Sequence, residues 1–129
     1  MQISYEVKSD ERLIIATITG RFDFGELDKE LSLRAGTIDI SGYGLVIDVR
    51  QTEAGNLSST DSKAYAPVLH LPTPPSIAIL VSNDVQRRLA AAFIAGRYLN
   101  GIYAPFRVFE QLDKALDWLK ELPRAPVAP

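Results

Sequence analysis

Leu57 is followed by three consecutive hydroxyl residues, Ser58, Ser59 and Thr60, and then by Asp61. Such a run is what opens a helix, and at a helix N-terminus backbone N–H groups are unpaired and the macrodipole is positive. A hydroxyl there either caps the helix or carries a phosphate. The spacing of Ser58 and Asp61 is that of a capping box, worth about 1 kcal/mol, and this is the commoner use because every helix needs a cap. The other use makes Ser58, Ser59 and Thr60 partner-binding or phosphoacceptor candidates.

A second candidate is Asp48, which closes the apolar run Gly44-Leu45-Val46-Ile47 near Val49. At the end of a central parallel strand it stands at the edge where open sheets place their sites, although such a residue commonly bonds loop N–H groups instead. The single histidine, His70, has no carboxylate or nucleophile partner nearby and adjoins a proline-rich stretch, the setting of a solvated histidine. Arg87, Arg88 and Arg97 read as the wet side of a helix. Gly42 and Gly44 lack the Lys-Ser and the helix start that complete a phosphate loop. Tyr65, Phe93, Tyr98, Tyr103 and Phe106 ordinarily fill a core. Gathered around one crevice, Tyr65, Phe93, Tyr98 and Tyr103 would line a pocket for a lipid-like or other small apolar ligand.

Composition narrows the classes. The chain has 129 residues, 47% hydrophobic and 23% charged, which suits one globular domain with one core. A net charge of -2 and a pI near 5.4 supply no basic field for nucleic acid or an anionic membrane. With no cysteine and one histidine, neither a disulfide framework nor a zinc site of soft ligands can be built, and no metal or cofactor is expected. No apolar run approaches the roughly 20 residues of a membrane span, and Met1 to Glu6 lacks a signal-peptide pattern, so a cytoplasmic protein is expected.

The elements that must position these residues follow from periodicity. Ile3, Tyr5 and Val7 alternate with polar residues, Ser9 to Arg12 make a turn, and Leu13 to Thr19 are dense in branched residues, which predicts a hairpin. Asp23 and Glu26 form an Asp capping box with Phe22 and Leu27 as its staple, so a helix starts at Phe24, with Phe24, Leu27, Leu31 and Ala35 on one face and Gly36 closing it. Residues 43–49 form a central strand, and the helix from about 59 kinks or ends before Pro67. Leu71 to Pro75 form an extended linker into a strand from Ile77 to Val81. Asn83 and Gln86 suggest a further box, followed by Val85, Leu89, Ala92, Phe93, Gly96 and Leu99 at helical spacing as far as Asn100-Gly101. A last strand, Phe106 to Phe109, precedes a helix with an apolar stripe of Leu112, Ala115, Leu116 and Leu119. Residues 1–122 then form one domain and 123–129 a flexible proline-rich tail. Strands alternating with helices imply an α/β fold, a mostly parallel five-stranded sheet with an antiparallel N-terminal hairpin and four helices.

This order, together with Thr19-Gly20-Arg21-Phe22-Asp23, Leu45-Val46-Ile47-Asp48-Val49, Ser82 to Leu89, and Phe109-Glu110-Gln111 with Ala115-Leu116, resembles the STAS domain of sulfate transporters and anti-sigma factor antagonists, and more closely its SpoIIAA-like bacterial branch. The resemblance covers residues 1–122 and implies a right-handed βα superhelix. It also implies a non-enzymatic regulatory module in which a serine at the start of the second helix, here Ser58 or Ser59, is the phosphorylation site. At that point the family has an Asp before its serines and a Gly after them, whereas this chain has Leu57 and then Thr60-Asp61, and Asp61 would repel an added phosphate. A binding role follows, toward a protein partner or a second copy of the chain. The alternative is a carrier or sensor of an apolar ligand, which likeness to STAS and CRAL-TRIO type proteins also implies.

Overall fold

The computed structural model describes residues 1–35, 43–53, 57–65, 76–101 and 105–121. The hairpin comes first: β1 (Gln2–Lys8) pairs antiparallel with β2 (Leu13–Arg21), Tyr5 opposite Ala16, across a turn in which Arg12 takes a positive φ of 52°. Helix α1 (Phe24–Ala35) starts where its capping box places it, with the Glu26 N–H donating to Asp23 Oδ1 at 3.0 Å. Next come β3 (Gly44–Glu53), α2 (Ser59–Tyr65), β4 (Ile77–Leu80), α3 (Asp84–Leu99), β5 (Phe106–Phe109) and α4 (Leu112–Glu121). The five strands lie in the order β1-β2-β3-β4-β5, all parallel after the first pair, so β3 is central. Gly36, Pro67, His70, the expected linker at 71–75, Tyr103 and the 123–129 tail lie outside the described residues.

Each step from β2 to β5 moves one strand in the same direction, so right-handed crossovers place the intervening helices on one face. Phe24 and Leu27 of α1 and Ala90 and Phe93 of α3 accordingly pack on Ile14, Leu45, Ile47 and Ile79. Ser62 of α2, fully buried, donates its hydroxyl to the Leu89 carbonyl at 2.6 Å and holds α2 against α3. The opposite face, with Leu13, Ile15, Val46, Ala78 and Leu80, is covered among the described helices by α4 through Ala115 and Leu119.

Four sequence expectations need correction. Strand β3 runs four residues past Val49, to Glu53, because it continues to pair with β2 as far as Arg21. Along the way β3 advances three residues, Asp48 to Gln51, while β2 advances two, Thr17 to Thr19. This bulge in β3 brings both Val49 and Thr52 to the α1–α3 side. Asp48 is therefore inside its strand. The buried face of α3 is also rotated from the apolar count: Val85 and Leu99 are exposed, while Gln86, Ala90, Phe93, Gly96 and Arg97 are buried. Arg97 is thus no wet-side residue. Its guanidinium lies 5.8 Å from the Phe93 ring and 5.6 Å from the Phe106 ring, and burial pulls its pKa below the ordinary arginine value.

Candidate functional site

The carboxyl ends of the parallel strands and the first turns of α1, α2 and α3 share one edge of the sheet, the edge where open α/β sheets place their sites. Helix α2 begins there with a complete capping box. The Ser58 N–H donates to Asp61 Oδ2 at 3.1 Å, the Ser58 hydroxyl donates to the same oxygen at 3.0 Å, and the Asp61 N–H donates back to Ser58 Oγ at 3.1 Å. Ser58 and Thr60 are exposed; for Ser59 and Tyr65 the backbone helix alone is described. The hydroxyl corner is therefore both capped and open to a partner, and its carrier helix is pinned from below by Ser62.

Asp48 faces the other side of the sheet, on the α4 side with Val46 by strand alternation. Its carboxylate receives a forked pair of hydrogen bonds from Arg50, Nε to Oδ1 at 3.0 Å and Nη2 to Oδ2 at 2.9 Å, and a further bond from the Arg50 N–H. This bonding raises the Arg50 pKa above its ordinary value against a smaller opposing effect of burial. Both oxygens are engaged within the bulge, so Asp48 locks the irregular end of β3. Asp48→Ala is expected to destabilise the fold by about 2 kcal/mol, less than for a fully buried pair because Arg50 is a third exposed, as a urea midpoint shift would measure.

Gln86 carries a role that its position in a capping box does not reveal. The Gln86 N–H does meet Asn83 Oδ1 at 2.9 Å, as a box requires. Its side chain, however, accepts from the Ser82 N–H at 2.7 Å and the Ser82 hydroxyl at 3.1 Å, and donates to the Thr52 carbonyl at 3.1 Å. It thereby ties the start of α3 to the end of β3. The signal in the sequence was a glutamine in the first turn; its partner became legible only once β3 was known to extend to Glu53.

Between α1, α3 and the end of β3 lies an apolar cleft of about 80 Å³, partly open to solvent. Phe22 meets Phe24 edge to face at 4.8 Å, Phe24 stacks on Phe93 at 6.1 Å, and Ile47, Ile79 and Leu27 form much of the rest of the wall. Of the aromatic candidates from the sequence, Phe93 lines this cleft, whereas Tyr98 is exposed farther along α3 and is not among the described lining residues. The sequence places Phe22 in the staple and Phe24 at the head of the helix face, and nothing in their spacing points to Phe93, about seventy residues away. The volume is roughly half that of an engineered cavity of about 150 Å³ that admits benzene, and far below the 300 Å³ or so at which sites for drug-sized ligands begin.

No three His, Cys, Asp or Glu side chains converge as metal ligands among the described residues, and no helix there is long and apolar enough to cross a membrane. No protein-family model matches the sequence, and no curated protein is significantly similar to it. Solved structures do share its fold. An uncharacterised DUF3478-family protein with a SpoIIAA-like fold from Shewanella loihica PV-4 is 19% identical at a TM-score of 0.57, the match covering 92% of each chain. An anti-sigma factor antagonist from Mycobacterium paratuberculosis is 19% identical at a TM-score of 0.55, over 93% of this chain and 96% of the other. The mixed five-stranded sheet with four helices is a SpoIIAA-like α/β fold.

Proposed function

We propose that this SpoIIAA-like domain is a non-enzymatic regulatory module that binds a protein partner, in the cytoplasm, through the edge where α2 begins. The observation carrying this reading is the exposure of Ser58 and Thr60 on a helix start that Ser62 fastens to α3. Binding needs a presented surface held still, and this corner has both properties. The Ser58 hydroxyl is committed to Asp61 on both its donor and acceptor sides, an arrangement that caps a helix and does not activate a nucleophile. Likeness to an anti-sigma factor antagonist supports the same class of role. Ser58, Ser59 and Thr60 are the contact or phosphoacceptor residues in this reading, and a second copy of the chain is an alternative partner.

A photo-crosslinking residue placed at Thr60 and, as control, at Lys120 on α4 tests this in cells. Products from Thr60 that are absent from Lys120 and diminish in Ser58→Asp support the module. Identical products from both positions, or products indifferent to Ser58→Asp, overturn it. Ser58→Asp still accepts from the Asp61 N–H but sets a second carboxylate beside Asp61, so Ser58→Asn, which caps a helix as well and adds no charge, is the stability control: capture lost in Ser58→Asp and kept in Ser58→Asn reflects surface charge and not the fold.

A further inference from the structure

The cleft beside that corner has an occupant of definable chemistry. Its polar lining atoms are already spoken for: Gln86 is bonded to Ser82 and Thr52, and the Thr52 hydroxyl donates to the Val49 carbonyl at 2.6 Å. A free small molecule is oriented in its pocket by a few convergent polar groups, and these are otherwise engaged. The size limit excludes a lipid chain but admits the end of one bulky side chain. An apolar side chain delivered by a macromolecule needs no polar anchor inside the socket, because the rest of its chain is oriented by contacts outside.

The mouth indicates what flanks that side chain. Asp23 lies between Phe22 and Phe24, Glu53 follows Thr52, and Asp84 stands in the first turn of α3; all are exposed, whereas Glu26 is paired with the Met1 ammonium at 3.7 Å. Arg21 and Arg88 stand against these three carboxylates, which leaves a small acidic excess, while Arg87 is paired with Glu110. The acidic excess favours a basic partner and disfavours a second copy of this chain, whose own edge repeats the same charges.

Resting on the protein-binding reading above, we infer that the Phe22–Phe24–Phe93 cleft is the socket for the end of a single Leu, Ile or Met side chain of a partner segment in which that residue is flanked by Lys or Arg. The Gln86 bonds fix one wall of the socket by tying the end of β3 to the start of α3.

The test is selection of random dodecapeptides against the whole chain, followed by measurement of individual peptides by fluorescence anisotropy and by amide-shift mapping. Ala90 lines the cleft, and Ala90→Leu fills it from within; the expected result is peptides sharing one bulky apolar residue beside basic ones, bound at least tenfold more weakly by Ala90→Leu. Glu53→Lys together with Asp84→Lys should also weaken them several-fold, and more so at low salt. Should Ala90→Leu fail to keep the wild-type melting temperature, shift mapping on the unaltered chain decides, with Phe24, Ile47 and Phe93 expected to move. Peptides that bind Ala90→Leu undiminished, or that carry acidic flanks, overturn the inference. So does a copurifying acyl ligand at these residues, or a dimer in sedimentation that Ala90→Leu dissociates. Peptides that map to Ser58 and Thr60 but ignore Ala90→Leu would leave the module standing and the socket fallen, whereas peptides mapping nowhere on this edge would remove both.

Discussion

Leu119→Ala is expected to lower the unfolding free energy by about 3 kcal/mol, with an unchanged denaturant slope. Leu119 is 2% exposed and packs from α4 onto the face formed by Leu13, Ile15, Val46, Ala78 and Leu80. Among the described helices α4 covers this face by itself, so a cavity opened there has no neighbouring helix to collapse into it. The close approach depends on Gly44 in the central strand. A β-carbon at position 44 would lie 3.1 Å from Leu13 Cδ2 and 3.4 Å from Leu119 Cδ2, so the glycine leaves room for both leucines. The single tryptophan, Trp118, sits on α4 with its ring 5.6 Å from that of Phe109, so its fluorescence reports docking of the helix directly. The half-buried Leu116 is the internal comparison, and Leu116→Ala should cost less. A loss below about 1 kcal/mol for Leu119→Ala would mean that α4 lies outside the cooperative core.

Gln86→Leu is the second large effect, about 2 to 3 kcal/mol, because leucine keeps much of the volume and removes every hydrogen bond of the amide. The Ser82 N–H and the Thr52 carbonyl lose their Gln86 partner in a part-buried setting. Gln86→Glu separates the two halves of the clamp. A carboxylate still accepts from Ser82 but sets an anionic oxygen against the Thr52 and Arg50 carbonyls in a buried position, so at neutral pH its cost should at least equal that of Gln86→Leu. Hydrogen exchange at the Ser82 amide checks the assignment: protection should fall sharply in Gln86→Leu and persist in Gln86→Glu. Equal protection in all three proteins would show that the clamp does not hold this loop. Where the clamp is lost the end of β3 is released, so peptide binding at the adjacent cleft should weaken as well.

Much of the architecture was legible because its causes are local. Asp23 bonds the Glu26 N–H three residues on, and Asn83 bonds the Gln86 N–H at the same spacing, so both helix starts could be read within a single turn. The alternation of Ile3, Tyr5 and Val7, and the apolar density of Leu13 to Thr19, marked a hairpin for the same reason. The rotation of α3 was not legible. Counting apolar residues by period favours Val85 and Leu99, but α3 packs between the sheet and α2, and the close Ser62 contact with the Leu89 carbonyl helps set which side turns inward. Arg97 could be buried because its stem is apolar and its cation faces the Phe93 ring, one turn back on α3, and the Phe106 ring, nine residues on at the start of β5. The bulge in β3 was equally hidden. It is a mismatch between two strands, and a single strand's sequence carries no record of its partner's register.

By itself the sequence determined the order of elements, the capping of the first three helices, and the hydroxyl cluster at the start of α2, since each depends on residues within a few positions of one another. Tertiary structure decided that Asp48 is bound to Arg50 on the α4 side, that Gln86 bridges α3 to β3, and that Phe22 and Phe24 join Phe93 around a cleft. These contacts join residues that crossovers and a bulge bring together, and their energies exist only after distant backbone segments have been brought into register. Chemistry carried within one turn of a helix is written in order along the chain, whereas a cleft belongs to the surfaces that three separate elements leave unfilled.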